Sequence, residues 1–312
     1  MRMDWDTLSP DAWYGIYTQI PKTNIIQSYA YAKAMRDVHY QMTRFGVIYN
    51  DQDQVIGLTQ IQEIRFLGVI HKVFLDRGPI WCIGQDTDQN HHDFWMYINQ
   101  CFPQRLGRRR RFIPEYSGQD MSLVPETMMK KKAEGYQTIW LDLRPDIDVL
   151  HQNLHKKWRN MLKRAGEENL YIEMDDHGIA LEYLLAQYEQ DRREKQYAGA
   201  SAKFIRALER HKSEHEYSLI YAASVAEDKP PCAMVYVFVH GKSATYQIGW
   251  SDKTGREKRA HYVLLWRVIQ DLKEKQINWF DLGGIDETHA EGVTRFKKGM
   301  GGAPMKTIGI FS

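Results

Sequence analysis

The most constraining feature of this sequence is an order of predicted elements that occurs twice. Periodicity in the first half predicts a helix at 27–39, a hairpin of strands at 41–49 and 54–66, and a third strand at 72–75. A helix at 90–102 and two more strands, near 112 and at 138–143, follow. A further helix is predicted from Pro125 onward. The second half adds three helices and then repeats the order, at residues 149–165, 179–193, 202–212, 217–225 with 231–239, 244–250, 260–275 and 277–282. Two similar α/β units are therefore expected.

The length supports this division, because 312 residues exceed what one hydrophobic core usually serves. The break at Arg144-Pro145 predicts a first domain at 1–144 and a second at 145–302. The tail at 303–312 is expected to return and complete the first sheet. Each unit should be a mixed, mostly antiparallel sheet flanked by helices, an α/β (α+β) architecture with a ligand cleft between the two domains.

Charge and cysteine content restrict the partners and the compartment. Lys and Arg total 42 against 40 Asp and Glu, so any contact with nucleic acid must come from local patches. The odd number of scattered cysteines, Cys82, Cys101 and Cys232, is typical of free thiols in the cytoplasm. No apolar run approaches the roughly 20 residues of a membrane helix, so no membrane span is predicted.

The segment at 279–302 has the composition of a site. It joins an apolar strand to Gly283 and Gly284, then to acids, and ends on Lys297 and Lys298. Glycines allow backbone to approach a ligand closely, and the lysines supply positive charge. The segment is thus expected to hold anionic or carbonyl oxygen; the alternative is a turn followed by a solvated surface helix.

A basic face is predicted on the helix at 149–165. On a helical wheel the apolar side chains share one side, namely Leu150, Leu154, Trp158, Met161, Leu162 and Ala165. Lys156, Arg159 and Lys163 cluster opposite them. This face is interpreted either as solvated surface or as a contact for a nucleic-acid backbone, whose binding would weaken steeply with salt.

Three motifs carry a family resemblance. They are the first helix at 27–33, the Arg77-Gly78-Pro79-Ile80 element, and Asp281-Leu282-Gly283-Gly284-Ile285 followed by Phe296-Lys297. Together with the element order they resemble the Fem family of aminoacyl-tRNA-dependent peptidyltransferases, built from two tandem GNAT-like domains. The resemblance implies transfer of an amino acid from its tRNA ester to an amine, usually on a peptidoglycan precursor, without a metal or bound organic cofactor.

The resemblance also implies roles for individual residues. The family's substrate-phosphate lysine falls on Lys33, and the lysine proposed to steady the tRNA or the reacting ester falls on Lys297, beside Phe296. Two positions depart from the family pattern. A proposed catalytic acid falls near Ile113, with Glu115 close by, and an arginine that holds the nucleotide-linked precursor falls on Gly199.

The chemistry of ester aminolysis adds further candidates, because it needs a neutral amine and a place for the developing oxyanion. Lys297 is predicted to offer a cation, while an acid holds the incoming ammonium and takes its proton. The predicted catalytic residues are Lys297, Phe296 and Asp281, and the predicted substrate-binding residues are Lys33, Arg77, Tyr246, Gly283, Gly284, Asp286 and Glu287. The predicted tRNA-binding residues are Lys156, Arg159, Lys163 and Lys298. As a surface lysine, Lys297 should be replaceable by alanine with little loss of stability.

The sequence is also compatible with two other functions. An N-acyltransferase dependent on acetyl-CoA would bind its pyrophosphate at 253–260, although Lys258 stands where the GNAT motif has its first glycine. A non-catalytic binder of RNA or an acidic partner would use the basic helix alone. The transferred amino acid and its acceptor, whether a peptide, a cell-wall precursor or a small amine, stay undetermined.

Overall fold

A computed structural model describes residues 1–67, 69–116, 124 and 129–312. The helix predicted from Pro125 begins outside the described residues. The helices are α1 Pro10–Tyr17, α2 Tyr29–His39, α3 Asp88–Cys101, α4 Ile147–Asn153, α5 Lys156–Gly166, α6 Leu181–Lys195, α7 Ala202–Arg210, α8 Lys253–Glu257, α9 Ala260–Glu274 and α10 Glu291–Lys298. Within the described ranges, none is both long and apolar enough to cross a bilayer.

The strands form two sheets. They are β1 Arg2–Trp5, β2 Met42–Tyr49, β3 Val55–Phe66, β4 Ile70–Gly78, β5 Ile80–Trp81, β6 Arg108–Pro114, β7 Lys131–Ala133, β8 Gln137–Asp142, β9 Tyr171–Asp175, β10 Glu216–Ser224, β11 Ala233–His240, β12 Ser243–Ser251, β13 Trp279–Asp281, β14 Ala303–Lys306 and β15 Ile310–Phe311. The first sheet has the order β1-β2-β3-β4-β6-β15-β7, with β5 beside β3, and the second has the order β14-β8-β13-β12-β11-β10-β9.

The chain divides into two compact units. The first comprises Met1–Gln137, Arg210–His215 and Met305–Ser312, and the second comprises Thr138–Glu209 and Glu216–Pro304. In the first unit, Phe94, Trp95 and Phe112 are buried together between α3 and the sheet. In the second, every residue of β11 is buried, and α9 contributes Leu264, Leu265 and Val268 to the same core.

Both units contain the repeated element order. A hairpin, a third strand, a helix and a strand occur as β2-β3-β4-α3-β6 in one and as β10-β11-β12-α9-β13 in the other. In each unit the third strand pairs parallel to the strand after the helix, whereas the hairpin pairings are antiparallel. A parallel pair needs a crossover, and the helix provides it. The predicted α/β class, two tandem units with mixed sheets, is confirmed.

One sequence expectation about the strands was wrong, and another was incomplete. The strand predicted at 138–143, assigned to the first domain, is β8 and belongs to the second sheet, where it pairs antiparallel with β13. The tail at 303–312 was expected to complete the first sheet, and it does so only in part: β15 pairs with β6 and β7 there, whereas β14 lies at the edge of the second sheet. Periodicity identifies a strand but carries no information about its partner.

The prediction of one continuous helix at 149–165 was also wrong. It is α4 and α5, separated by Leu154 and His155 in extended backbone. Leu154 is buried in the core, and the His155 amide donates to the Gly299 carbonyl at 2.9 Å. Burial of Leu154 and this hydrogen bond compensate for the helical bonds lost at the break.

Candidate functional site

The site in the second unit begins where two parallel strands stop pairing. Residues 243–245 of β12 pair with 279–281 of β13, but β13 ends at Asp281 while β12 continues to Ser251. Tyr246 is the first β12 residue beyond the last pair. In layered α/β folds a gap between central strands is a usual place for a ligand. Tyr246 and the turn after Asp281 therefore lie where the two strands stop pairing.

A buried hydrogen-bond network shapes the turn. The Asp281 carboxylate is completely buried and accepts from the Gly283 amide at 2.8 Å and from the Thr138 hydroxyl. The same hydroxyl lies 3.0 Å from the Gly283 carbonyl oxygen. Gly283 has φ +73°, and a Cβ there would lie 3.1 Å from the Tyr246 carbonyl oxygen. Glycine is thus needed both for its backbone angle and for the close approach.

Lys297 projects from α10 into this turn. It is only 8% exposed, and its Nζ donates to the Gly284 carbonyl at 2.9 Å. The Nζ also lies 5.7 Å from the centre of the Tyr246 ring, within range of a cation–π contact. Burial lowers the pKa of Lys297 to about 8, although the negative charge of Asp281 acts in the opposite direction. The expectation of a surface lysine was wrong.

Phe296 has a packing role beside Lys297. Its ring contacts Trp158 at 5.9 Å and Tyr262 at 5.0 Å between centroids. These contacts join α10 to α5 and α9. Because Phe296 and Lys297 are adjacent on one helix, the aromatic cluster fixes the direction in which Lys297 enters the turn. Phe296 therefore positions Lys297, and its ring is occupied by neighbouring aromatic residues.

The remaining acids of the segment hold its loop. Asp286 accepts from the amides of Thr288 and His289 and from the His289 ring, which together lower its pKa. Glu287 forms an ion pair with Lys298. These contacts are those of a capped loop beside a helix. Asp281, Gly283, Gly284, Lys297 and Tyr246 form the group that the structure brings together.

Sequence reasoning missed two residues of the site. Thr138 is a buried polar residue at the start of an apolar strand, and this contrast was a usable signal. His261 gave no comparable signal. Its Nε2 is buried and, among the described residues, meets no hydrogen-bond partner; burial lowers its pKa to about 4. A Cβ on Gly249 would lie 2.0 Å from the Tyr246 hydroxyl oxygen and 3.1 Å from His261 Nε2, so the glycine leaves room for both rings.

The predicted tRNA-binding residues of α5 divide into two kinds. Lys156 and Lys163 are exposed. Arg159 instead turns back along the chain, and its guanidinium donates to the carbonyls of Gln152, at 2.6 Å, and Leu154. Those carbonyls end α4 and have no intrahelical donor. Arg159 thus stabilises the break between α4 and α5.

Lys33 and Arg77 belong to the first unit. Lys33 is half-buried, and its Nζ lies 4.8 Å from the centre of the Tyr29 ring. Arg77 is buried, and two of its nitrogens donate to the two oxygens of Glu115, each at 2.8 Å. Its guanidinium also lies 4.9 Å from the centre of the Tyr136 ring. A buried bidentate pair of this kind marks Arg77 as a structural residue.

Comparison with known proteins gives a domain family and a fold. Residues 150–298 match the acetyltransferase (GNAT) domain family. No curated protein sequence gives a significant match.

The solved structures that resemble the chain do so at low identity. The crystal structure of FemX has a TM-score of 0.78 at 11% identity, over 99% of this chain and 96% of that one. A tandem GNAT protein of the clavulanic acid pathway has a TM-score of 0.51 at 9% identity, over 99% and 98% of the two chains. The C-terminal domain of a putative lysylphosphatidylglycerol synthetase from Agrobacterium fabrum has a TM-score of 0.51 at 13% identity, over 97% and 91%. Residues 150–298 thus match the GNAT domain family, and the fold of the whole chain is similar to that of FemX.

Proposed function

We propose that this protein transfers an amino acid from aminoacyl-tRNA to an amino group of a peptide or peptidoglycan-precursor-like acceptor. The observation that carries the proposal is the buried ammonium of Lys297, held beside the point where β12 and β13 stop pairing. The GNAT domain and the likeness of the fold to FemX support acyl transfer as the reaction type. We place the reaction in the cytoplasm, where aminoacyl-tRNA is made.

The reaction needs charge stabilisation more than a protein nucleophile. The acceptor nitrogen attacks the ester carbonyl, and the carbonyl oxygen becomes an oxyanion in the tetrahedral intermediate. The C–O bond to the tRNA ribose then breaks, the ribose oxygen takes a proton, and an amide remains. Negative charge develops first on the carbonyl oxygen and then on the leaving ribose oxygen, and a fixed cation stabilises both. Phe296 fixes Lys297, so little reorganisation accompanies the reaction.

The pKa of Lys297 suits this role and adds a second one. Near pH 7 the side chain is mostly charged and available to the oxyanion or to a tRNA phosphate. A pKa of about 8 also lets the neutral form accept a proton from the incoming ammonium. Asp281 favours the charged form of Lys297 but has its own carboxylate engaged by Gly283 and Thr138. We therefore assign Asp281 a positioning role.

The start of α9 argues against acetyl-CoA as the donor. GNAT enzymes bind the cofactor's pyrophosphate on backbone amides at a helix start, which requires small residues there. Here Lys258 and Arg259 precede the helix, and both form ion pairs with Glu168. Gly255 is required by close packing instead, because a Cβ on it would lie 2.2 Å from the Cys232 carbonyl oxygen. The acyl-CoA hypothesis ranks second for this reason.

A donor competition tests the proposal. The purified protein is incubated with a mixture of aminoacyl-tRNAs, or with acetyl-CoA, together with a panel of peptides and small amines, and products are identified by mass spectrometry. We expect deacylation of tRNA that depends on the acceptor, with a new amide in the product. Consumption of acetyl-CoA alone would show the CoA-dependent enzyme, and consumption of neither donor would favour the binding protein.

A further inference from the structure

The turn between β3 and β4 carries apolar side chains into solvent. Leu67 is 82% exposed and Val69 is 72% exposed. Phe66 and Ile70, which pair across the two strands, are exposed as well. Soluble surfaces rarely place large aliphatic residues side by side at a protruding turn, and such clusters mark interaction sites.

A neighbouring loop enlarges this surface. β6 runs parallel to β4, and the His71 amide donates to the Gly107 carbonyl at 2.9 Å. The loop lies so close that a Cβ on Gly107 would be 2.3 Å from the Val69 carbonyl oxygen. Leu106, which precedes it, is fully exposed. We call Phe66, Leu67, Val69, Ile70 and Leu106 the apolar tip.

Basic side chains surround the apolar tip. Lys72 and Arg109 are opposite one another on adjacent strands, and Arg105 precedes Leu106. Successive residues of a strand point to opposite faces, so Arg65 and Arg108 lie on the other face of the sheet. The segments at 64–75 and 102–114 contain no Asp or Glu. Arg65 is paired with Glu63, so the net positive charge around the tip comes from Arg108 on that face and from Lys72 and Arg109 on the other.

A buried network makes the base of the tip rigid. The Glu63 carboxylate lies 2.7 Å from His71 Nε2 and accepts from Arg65 at 2.8 Å. Arg108 in turn donates to His71 Nδ1 at 3.2 Å. Glu63 and His71 are both buried, so this network ties β3, β4 and β6 together below the exposed residues. The apolar residues are thus presented by an ordered scaffold.

We propose that the apolar tip docks the protein on an anionic lipid bilayer, with the tip among the headgroups and the surrounding basic residues on lipid phosphates. Basic residues close to an anionic membrane attract it, and inserted aliphatic side chains leave water. RNA suits this surface less well, because single-stranded RNA binds by stacking on aromatic rings, and Phe66 is the one aromatic residue of the tip. A protein partner would contact one face, whereas the charge lies on both. The proposal does not depend on the donor substrate.

Vesicle sedimentation tests this inference on the full chain. Vesicles of phosphatidylcholine mixed equally with phosphatidylglycerol are compared with vesicles of phosphatidylcholine alone. The tip variant combines Leu67→Ser, Val69→Ser and Leu106→Ser, and the charge variant combines Lys72→Gln, Arg105→Gln and Arg109→Gln. The matched control combines Ile83→Ser and Ile179→Ser, because these aliphatic residues are 81% and 85% exposed elsewhere in the chain.

We expect the wild type and the control to bind the anionic vesicles and to bind the neutral ones far less. The charge variant should bind about a hundredfold more weakly, and the tip variant about tenfold or more. The melting temperature of every variant should equal that of the wild type. Three outcomes would each overturn the proposal. The first is equal binding to both vesicle types, and the second is full binding by the tip variant. The third is displacement from vesicles by unfractionated tRNA with no effect of the tip substitutions.

Discussion

The Nζ of Lys297 donates a hydrogen bond to the Gly284 carbonyl oxygen at 2.9 Å. The last turn of α10 is thereby tied to the glycine turn after β13. A neutral carbonyl compensates a buried charge less well than a carboxylate in contact with it, which explains why burial dominates and the pKa of Lys297 falls. The structure thus holds a buried cation beside the glycine turn.

Loss of the Lys297 charge should abolish most of the activity. Lys297→Met keeps the length of the side chain, so we expect the fold to persist while kcat/KM falls by about 10²–10³-fold. The control is Lys203→Met, an exposed lysine on α7. Steady-state kinetics with the donor found in the competition assay measures both. Equal activity of the two variants would remove Lys297 from the mechanism.

The same substitution should change how stability depends on pH. The folded pKa of Lys297, about 8, lies below its ordinary value of 10.5, so the unfolded chain binds more protons between these values. Wild-type stability should therefore rise relative to Lys297→Met between pH 8 and 10.5, by up to about 3 kcal/mol. Urea unfolding of both proteins at several pH values tests this. A difference that stays constant with pH would contradict the buried state of Lys297.

Asp281→Asn should separate the charge of Asp281 from its hydrogen bonds. The amide oxygen can still accept from Gly283, but the negative charge that favours protonated Lys297 is gone. We expect the high-pH limb of the activity profile to move to lower pH, because the pKa of Lys297 falls further. The free energy of unfolding should drop by about 1–2 kcal/mol. An unmoved profile would show that the two charges are not coupled.

The backbone at Gly283 should tolerate no side chain. Gly283→Ala forces a Cβ into a positive-φ position, 3.1 Å from the Tyr246 carbonyl oxygen. We expect a loss of about 1–2 kcal/mol of stability together with reduced turnover. Gly292→Ala is the matched control, since a Cβ there meets nothing within 4 Å and the residue lies in α10. Thermal unfolding should show the control equal to or above the wild type.

Substitution of the basic residues of α5 should have two different effects. Lys156→Gln and Lys163→Gln should each reduce the slope of tRNA affinity against salt by about one while leaving stability unchanged. Arg159→Gln should lower stability by about 1–2 kcal/mol, because it removes the donor for carbonyls at the end of α4. Filter binding over a salt series and thermal unfolding distinguish the two effects. Unchanged salt slopes would exclude α5 from RNA binding.

Much of the fold was predictable because it depends on local periodicity. The element order around β2-β3-β4-α3-β6 and its recurrence follow from apolar spacing and turn residues. The segment containing Gly283, Gly284 and Lys297 also stands out in the sequence by its composition. Burial of Lys297 could not be predicted, because the sequence around a lysine near a helix end does not show whether its side chain meets solvent or a carbonyl.

The sequence by itself determined the class of the elements, their order and the residues of the glycine turn. Only the tertiary structure decided which sheet receives β8, where α4 ends and α5 begins, and which side chains meet at the site. Thr138 and Asp281 are far apart in the chain and form their hydrogen bond only because β8 and β13 are neighbours. Strand pairing and burial are set by non-local packing, and local patterns do not encode the partner of a strand or the surroundings of a charge.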